Sequence, residues 1–199
     1  MQRTTVWSWL IGGMLLIAQS ALSLTAVFAR ADGDPVAPTA ALGAAACTFV
    51  ACVVFAIGVN RSESVVGRRP GGILVLMSLG VVSLVEAAGR GSADGASTVL
   101  GAAAVYALTL AAAIVIARAG VVPAPWSWIP LAAVSLALAL SLFFAVMVPL
   151  LAPHAAGVGA WTLPATMPAL IGVVSIVLAV TTRPGAARAA AMGPQVSHG

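Results

Sequence analysis

Six long apolar runs follow one another along the chain, and the charged residues fall almost entirely in the gaps between them. The runs cover residues 6–29, 39–59, 71–88, 96–117, 128–151 and 162–181. A helix needs about 20 mostly apolar residues to cross a bilayer, so the pattern predicts six transmembrane helices. The gaps carry turn formers or charges: Arg30 to Pro35, Arg61 to Gly72, Gly89 to Gly95, Arg118 to Pro125, and Pro153 to Gly157. Segments this short hold no soluble domain. The predicted fold is an all-α integral membrane protein, with one six-helix transmembrane domain over residues 1–182 and a flexible cytoplasmic tail over 183–199.

Composition agrees with hydrocarbon as the medium. Of 199 residues, 61% are hydrophobic and 7% charged, against about 25% charged in a soluble domain. Mean hydropathy is +1.11. All nine basic residues are Arg, which together with the abundant Ala, Gly and Val is associated with GC-rich bacterial genomes. The net charge of +4 does not point to nucleic acid, because the Arg are scattered at helix ends and form no basic stripe.

Those Arg set the orientation. Arg3, Arg61, Arg68, Arg69, Arg118, Arg183 and Arg188 fall on one side of the predicted membrane, Arg30 and Arg90 on the other. Basic residues accumulate on the cytoplasmic side, so both termini are expected in the cytoplasm of a bacterium, the chain being a multi-pass protein of the inner membrane. Asp32, Asp34 and Asp94 then lie outside. Trp7, Trp9, Trp126 and Trp128 fall at the inner boundary and Trp161 at the outer one, as an aromatic belt requires. The first 29 residues also have the outline of a signal peptide ending at Ala29. Its apolar core is longer than the usual 7–15 residues, which favours a retained helix.

Self-comparison suggests three tandem hairpins, near residues 6–60, 71–118 and 128–182. Trp7-Ser8-Trp9 recurs as Trp126-Ser127-Trp128, and the Gly pair Gly12-Gly13 as Gly71-Gly72. Leu42-Gly43-Ala44 recurs as Leu100-Gly101-Ala102, Arg30 as Arg90, and Asp34 as Asp94. Parallel repeats of this kind occur in membrane proteins, although short matches arise cheaply in so restricted an alphabet.

Three hairpins, each opening on a Gly-rich apolar helix such as the one from Gly71-Gly72 to Met77, resemble the acid-resistance HdeD-type family of membrane proteins. The resemblance covers nearly the whole chain and implies a stress-related inner-membrane protein; it carries no catalytic residue over. Six spans in about this length also resemble the substrate-binding subunits of energy-coupling-factor vitamin transporters.

Helices in lipid associate by close packing rather than by hydrophobicity. Span two offers small residues at Ala41, Ala45, Cys52 and Ala56, and span four at Ala103, Ala107 and Ala111. Both spans are therefore expected at the centre of the bundle, unless these faces dock another membrane protein. Cys47 and Cys52 lie five apart on one helix and so face different ways; they read as small packing residues.

Few residues offer chemistry. Glu86 is the one acidic residue inside a predicted span, and ionisable groups in a membrane are functional suspects by default. With Arg90 four residues on, it also reads as an interfacial ion pair. Gln19, Ser23 and Arg30 form a polar edge on span one, and Ser83, Glu86 and Arg90 a comparable one on span three. Facing each other, they would make an outward-opening notch suited to a small solute. The plainer reading is that Gln19 and Ser23 hydrogen-bond neighbouring helices. Pro168 inside span six is expected to bend it. His154 reads as a polar loop residue. No catalytic, metal-binding or phosphate-binding motif is present, so neither enzyme nor cofactor is expected. The first expectation is a stress-linked protein or accessory subunit, whose partners are the lipid bilayer and another membrane protein. The alternative is a transporter or substrate-binding subunit that uses Gln19, Ser23, Glu86 and Arg90.

Overall fold

The computed structural model describes residues 5–58, 64, 66, 69–89, 95–119, 128–151 and 156–181. They form six α-helices: α1 (Thr5–Ala31), α2 (Val36–Ile57), α3 (Pro70–Gly89), α4 (Gly95–Ala119), α5 (Ile129–Leu151) and α6 (Ala156–Thr181). No strand occurs among the described residues. Four helical stretches, Trp7–Ala31, Val36–Ile57, Pro70–Gly89 and Leu100–Ala119, are each long and apolar enough to cross a membrane. Helices α5 and α6 contain the apolar stretches Ile129–Phe143 and Ala165–Val180. The segment 183–199, and with it Arg3, Arg61, Arg68, Arg90, Asp94, Trp126, His154 and Arg183, lies outside the described residues.

Two helices start earlier than their hydrophobic runs suggest. The first turn of α2 includes Pro38 and follows Pro35. Proline is tolerated there because first-turn N–H groups have no partner within the helix. Asp34 supplies the missing acceptors: Val36 N–H donates to its Oδ1 at 2.9 Å and Ala37 N–H to its carbonyl at 3.2 Å. Before that, α1 ends in a Schellman turn. Gly33 adopts φ +73°, its N–H bonds the Arg30 carbonyl, and Asp34 N–H bonds the Ala29 carbonyl at 2.7 Å, satisfying two end carbonyls. Helix α6 starts at Ala156, six residues ahead of the expected position.

Each helix packs on its neighbours in sequence, and α1 also packs on α6. The six therefore close into a ring of antiparallel neighbours. One end, called the base here, carries the start of α1 and the end of α2. The other, the mouth, carries the end of α1 and the start of α2. This corrects the expected centre: α2 and α4 are not neighbours in the ring. On α2 the small residues do pack inward, Ala45, Cys52 and Ala56 being buried. On α4 the stripe turns away, with Ala103 and Ala107 exposed. In lipid an outward Ala costs no more than an outward Leu, so small residues alone do not specify the inner face.

Buried positions are mostly Ala, whereas large side chains stand outside: Leu100 is 72% exposed, Leu74 68% and Val85 66%. Water would penalise that arrangement at about 25 cal/mol per Å²; hydrocarbon does not. Hydroxyls follow the same logic. Thr25, Thr48, Thr109, Ser141 and Ser175 each donate to the carbonyl four residues earlier, at 2.7–3.0 Å, which satisfies the hydroxyl proton within its own helix.

The base is tightly packed. Trp9, Phe55, Ala56, Leu76, Ala112, Leu178 and Ala179 form one cluster, with the Trp9 and Phe55 rings 5.8 Å apart at 54°. Part of the α2–α3 connection folds into it. Val66 is fully buried against Gly72, and Ser64 Oγ donates to the Ala56 carbonyl at 2.7 Å. Arg69 Nη1 donates to the Arg118 carbonyl at 3.4 Å, placing a cation at the C-terminal end of α4, where the helix dipole favours it.

Candidate binding cavity

Toward the mouth the ring is hollow. One cavity of about 450 Å³ is walled by α1, α2, α4, α5 and α6. A second, of about 280 Å³, lies deeper and reaches α3 as well. The two share Gln19, Ser23, Ala44, Val105, Thr109 and Pro168, among others, and so form one continuous space. Its floor is the base cluster, since Phe55, Leu76 and Ala112 belong to both. Arg30, in the last turn of α1, is exposed and also lines the upper cavity, so the space reaches the surface at the mouth.

The geometry follows from residue size. Ala41 and Ala44 on α2 and Ala102 on α4 bring only methyl groups to the wall. Leu and Phe take their place near the base, and the ring closes on itself. Pro168 sits within uninterrupted α6 and lines both cavities; its ring cannot donate to the carbonyl four residues earlier.

Of the residues singled out from sequence, Gln19 and Ser23 line both cavities, and Ser83 and Glu86 line the deeper one opposite them. The two polar edges thus share one space. Arg90 lies outside the described residues. The Glu86 side chain also lies against α4 at Gly101, where a Cβ would run into the carboxylate. A side chain at Gly101 would push the carboxylate from this position.

Gln19 departs from expectation. Its Oε1 is buried with no hydrogen-bond partner, and so is Oγ of the adjacent Ser20. The expected bond from this amide oxygen to a neighbouring helix is not made, in a setting where nearly every buried polar atom has one.

Several lining residues escaped the sequence reading, Thr48, Tyr106 and Thr109 among the polar ones. Tyr106 lines the upper cavity and Thr109 both. Tyr106 had a usable signal: it is the single tyrosine of the chain, placed mid-span rather than at an interface, where such rings usually sit. Thr109 had none. Cys47 and Cys52 are free thiols, and among the described residues no three His, Cys, Asp or Glu side chains gather as a metal site needs.

Comparison with protein-family models, with curated proteins and with solved structures finds no match to this chain. The cavity itself is therefore the main guide to what the protein does.

Proposed function

We propose that this chain is a non-enzymatic, six-span protein of a bacterial inner membrane, with both termini cytoplasmic, that holds a small molecule in a cavity open toward the outer side. The observation that carries this reading is the asymmetry of the ring, packed at the base and hollow toward the mouth. A cavity of about 450 Å³ falls within the range of small-molecule sites, about 300–1,000 Å³, which are typically apolar with a few convergent polar groups.

The orientation is supported by Arg69 and Arg118 at the base, the end that basic residues predict to be cytoplasmic. A repeat relating the first two of three proposed hairpins is supported by a recurring contact. Gly12 on α1 faces Phe55 on α2, and sixty residues on, Gly72 on α3 faces Val115 on α4. Gly43 and Gly101 likewise each face the first helix of their own hairpin, at Leu22 and Glu86.

Native mass spectrometry of the gently purified protein tests the function. A bound species of small-molecule mass, lost when Ala44→Phe fills the shared part of the cavity, is the expected result. Wild-type protein that is always empty would sink it.

An accessory or stress-linked role is the second reading. In its favour, the small residues Ala103 and Ala107 are exposed rather than used within the ring. A membrane protein that co-purifies with the chain and is lost on Ala107→Leu would support that role.

A further inference from the structure

We infer that the ligand is a small amphipathic organic anion carrying a hydrogen-bond donor at the end remote from its charge, with the anion at Arg30 and the donor at Gln19. This rests on the small-molecule reading above and adds the chemical class.

The polar groups of the cavity are sorted by depth. At the mouth stands a cation. Arg30 lies in the last turn of α1, and helical side chains lean back toward the N-terminus, so its guanidinium reaches along the cavity wall it helps form. No carboxylate among the described residues pairs with it. A guanidinium grips a carboxylate or phosphate by two parallel hydrogen bonds.

Deeper, the wall offers acceptors. The hydroxyl protons of Thr48 and Thr109 are committed to the carbonyls of Ala44 and Val105, which leaves these oxygens only lone pairs to offer. Gln19 Oε1 is buried without any donor, and rotation about its own side-chain bonds turns the amide into the space it already lines. A ligand end that only accepts would meet acceptors here; one that donates satisfies an atom otherwise left unmet. Between the two levels the wall is apolar, with Val134, Pro168 and Ile171. Eleven residues of helix separate Gln19 from Arg30, about 16 Å along the axis, and the long Arg30 side chain, leaning back toward Gln19, shortens this toward the span of a fused two-ring body substituted at both ends.

Three probes of matched shape test the class on the full chain in lipid nanodiscs: hydroxynaphthoate with its two groups at opposite ends, its methyl ester, and naphthoate without the hydroxyl. Binding is read from naphthalene fluorescence. Hydroxynaphthoate should bind; the ester, or Arg30→Gln with the acid, should weaken binding about ten-fold or more, while Arg30→Lys keeps most of it. Loss of the hydroxyl should cost about five-fold in wild type and nothing in Gln19→Leu. Equal binding of acid and ester, or indifference to Arg30→Gln, overturns the anion. A hydroxyl without effect in wild type overturns the donor. If no probe binds, the proposed class falls, whereas a native small molecule seen by mass spectrometry would keep the cavity reading standing without it.

Discussion

Gly13 and Gly172 meet backbone to backbone. A Cβ on Gly13 would lie 2.7 Å from the Gly172 carbonyl oxygen, and a Cβ on Gly172 would lie 2.6 Å from that of Gly13. This reciprocal contact joins the first and last helices and closes the ring around the cavity. Because each obstacle is backbone, no rotamer change relieves it.

Gly13→Ala and Gly172→Ala should therefore each destabilise the protein by about 1–3 kcal/mol, the usual range for overpacking. Gly71, with nothing within 4 Å of its would-be Cβ, is the control. Gly71→Ala should be neutral or slightly stabilising, since Ala is the better helix former. Thermal unfolding in detergent, followed by circular dichroism, compares the three; equal midpoints would mean that α1 and α6 do not meet as described.

Gly33 closes α1 at φ +73° with open space around it. Its cost on substitution is conformational rather than steric. Gly33→Ala should lose about 1 kcal/mol, and Gly33→Asn less, because Asn tolerates the left-handed region better. The same unfolding assay reads the order.

Gln19→Leu should stabilise the ligand-free protein by about 1 kcal/mol, because it removes a buried oxygen that has no partner. The same variant should lose its preference for ligands with a donor. A stability gain coupled to a binding loss is the signature of a polar group kept for recognition. Destabilisation by Gln19→Leu would instead mean that the amide is bonded within the fold.

Ala107→Leu should change the stability of the isolated protein by no more than about 0.5 kcal/mol, as outward substitutions do, since Ala107 is exposed. A large loss would return this face to the interior, where the sequence placed it.

Topology is open to direct labelling. In a Cys47→Ala, Cys52→Ala background, Asp32→Cys should react with an impermeant maleimide added to intact cells, and Arg118→Cys only after lysis. The reverse pattern would invert the orientation.

Much of the helical layout was legible, because the length of an apolar run is a local property. The ranges of α1, α3, α4 and α5 lie within two residues of their predicted ones. Helices α2 and α6 were misjudged at their starts. Pro35 and Pro38 read as breakers, yet Asp34 caps the turn that contains them. The inward turn of the α2–α3 connection, which buries Val66, was not legible; its residues read as an ordinary charged loop. Within the cavity, Gln19, Ser23 and Glu86 drew notice as polar residues in apolar surroundings. Nothing local distinguished Thr109, whose hydroxyl satisfies itself on its own helix.

The sequence by itself determined which segments are long and apolar and where charge interrupts them, because the hydropathy of each side chain is settled residue by residue. The tertiary structure decided which helix faces meet, that α1 reaches α6 instead of α2 reaching α4, and that the space left over gathers Gln19, Glu86 and Arg30. In lipid all apolar faces are nearly equivalent, so hydrophobicity names no partner. What selects one is how closely two backbones approach, as at Gly13 and Gly172, and that depends on all six helices at once.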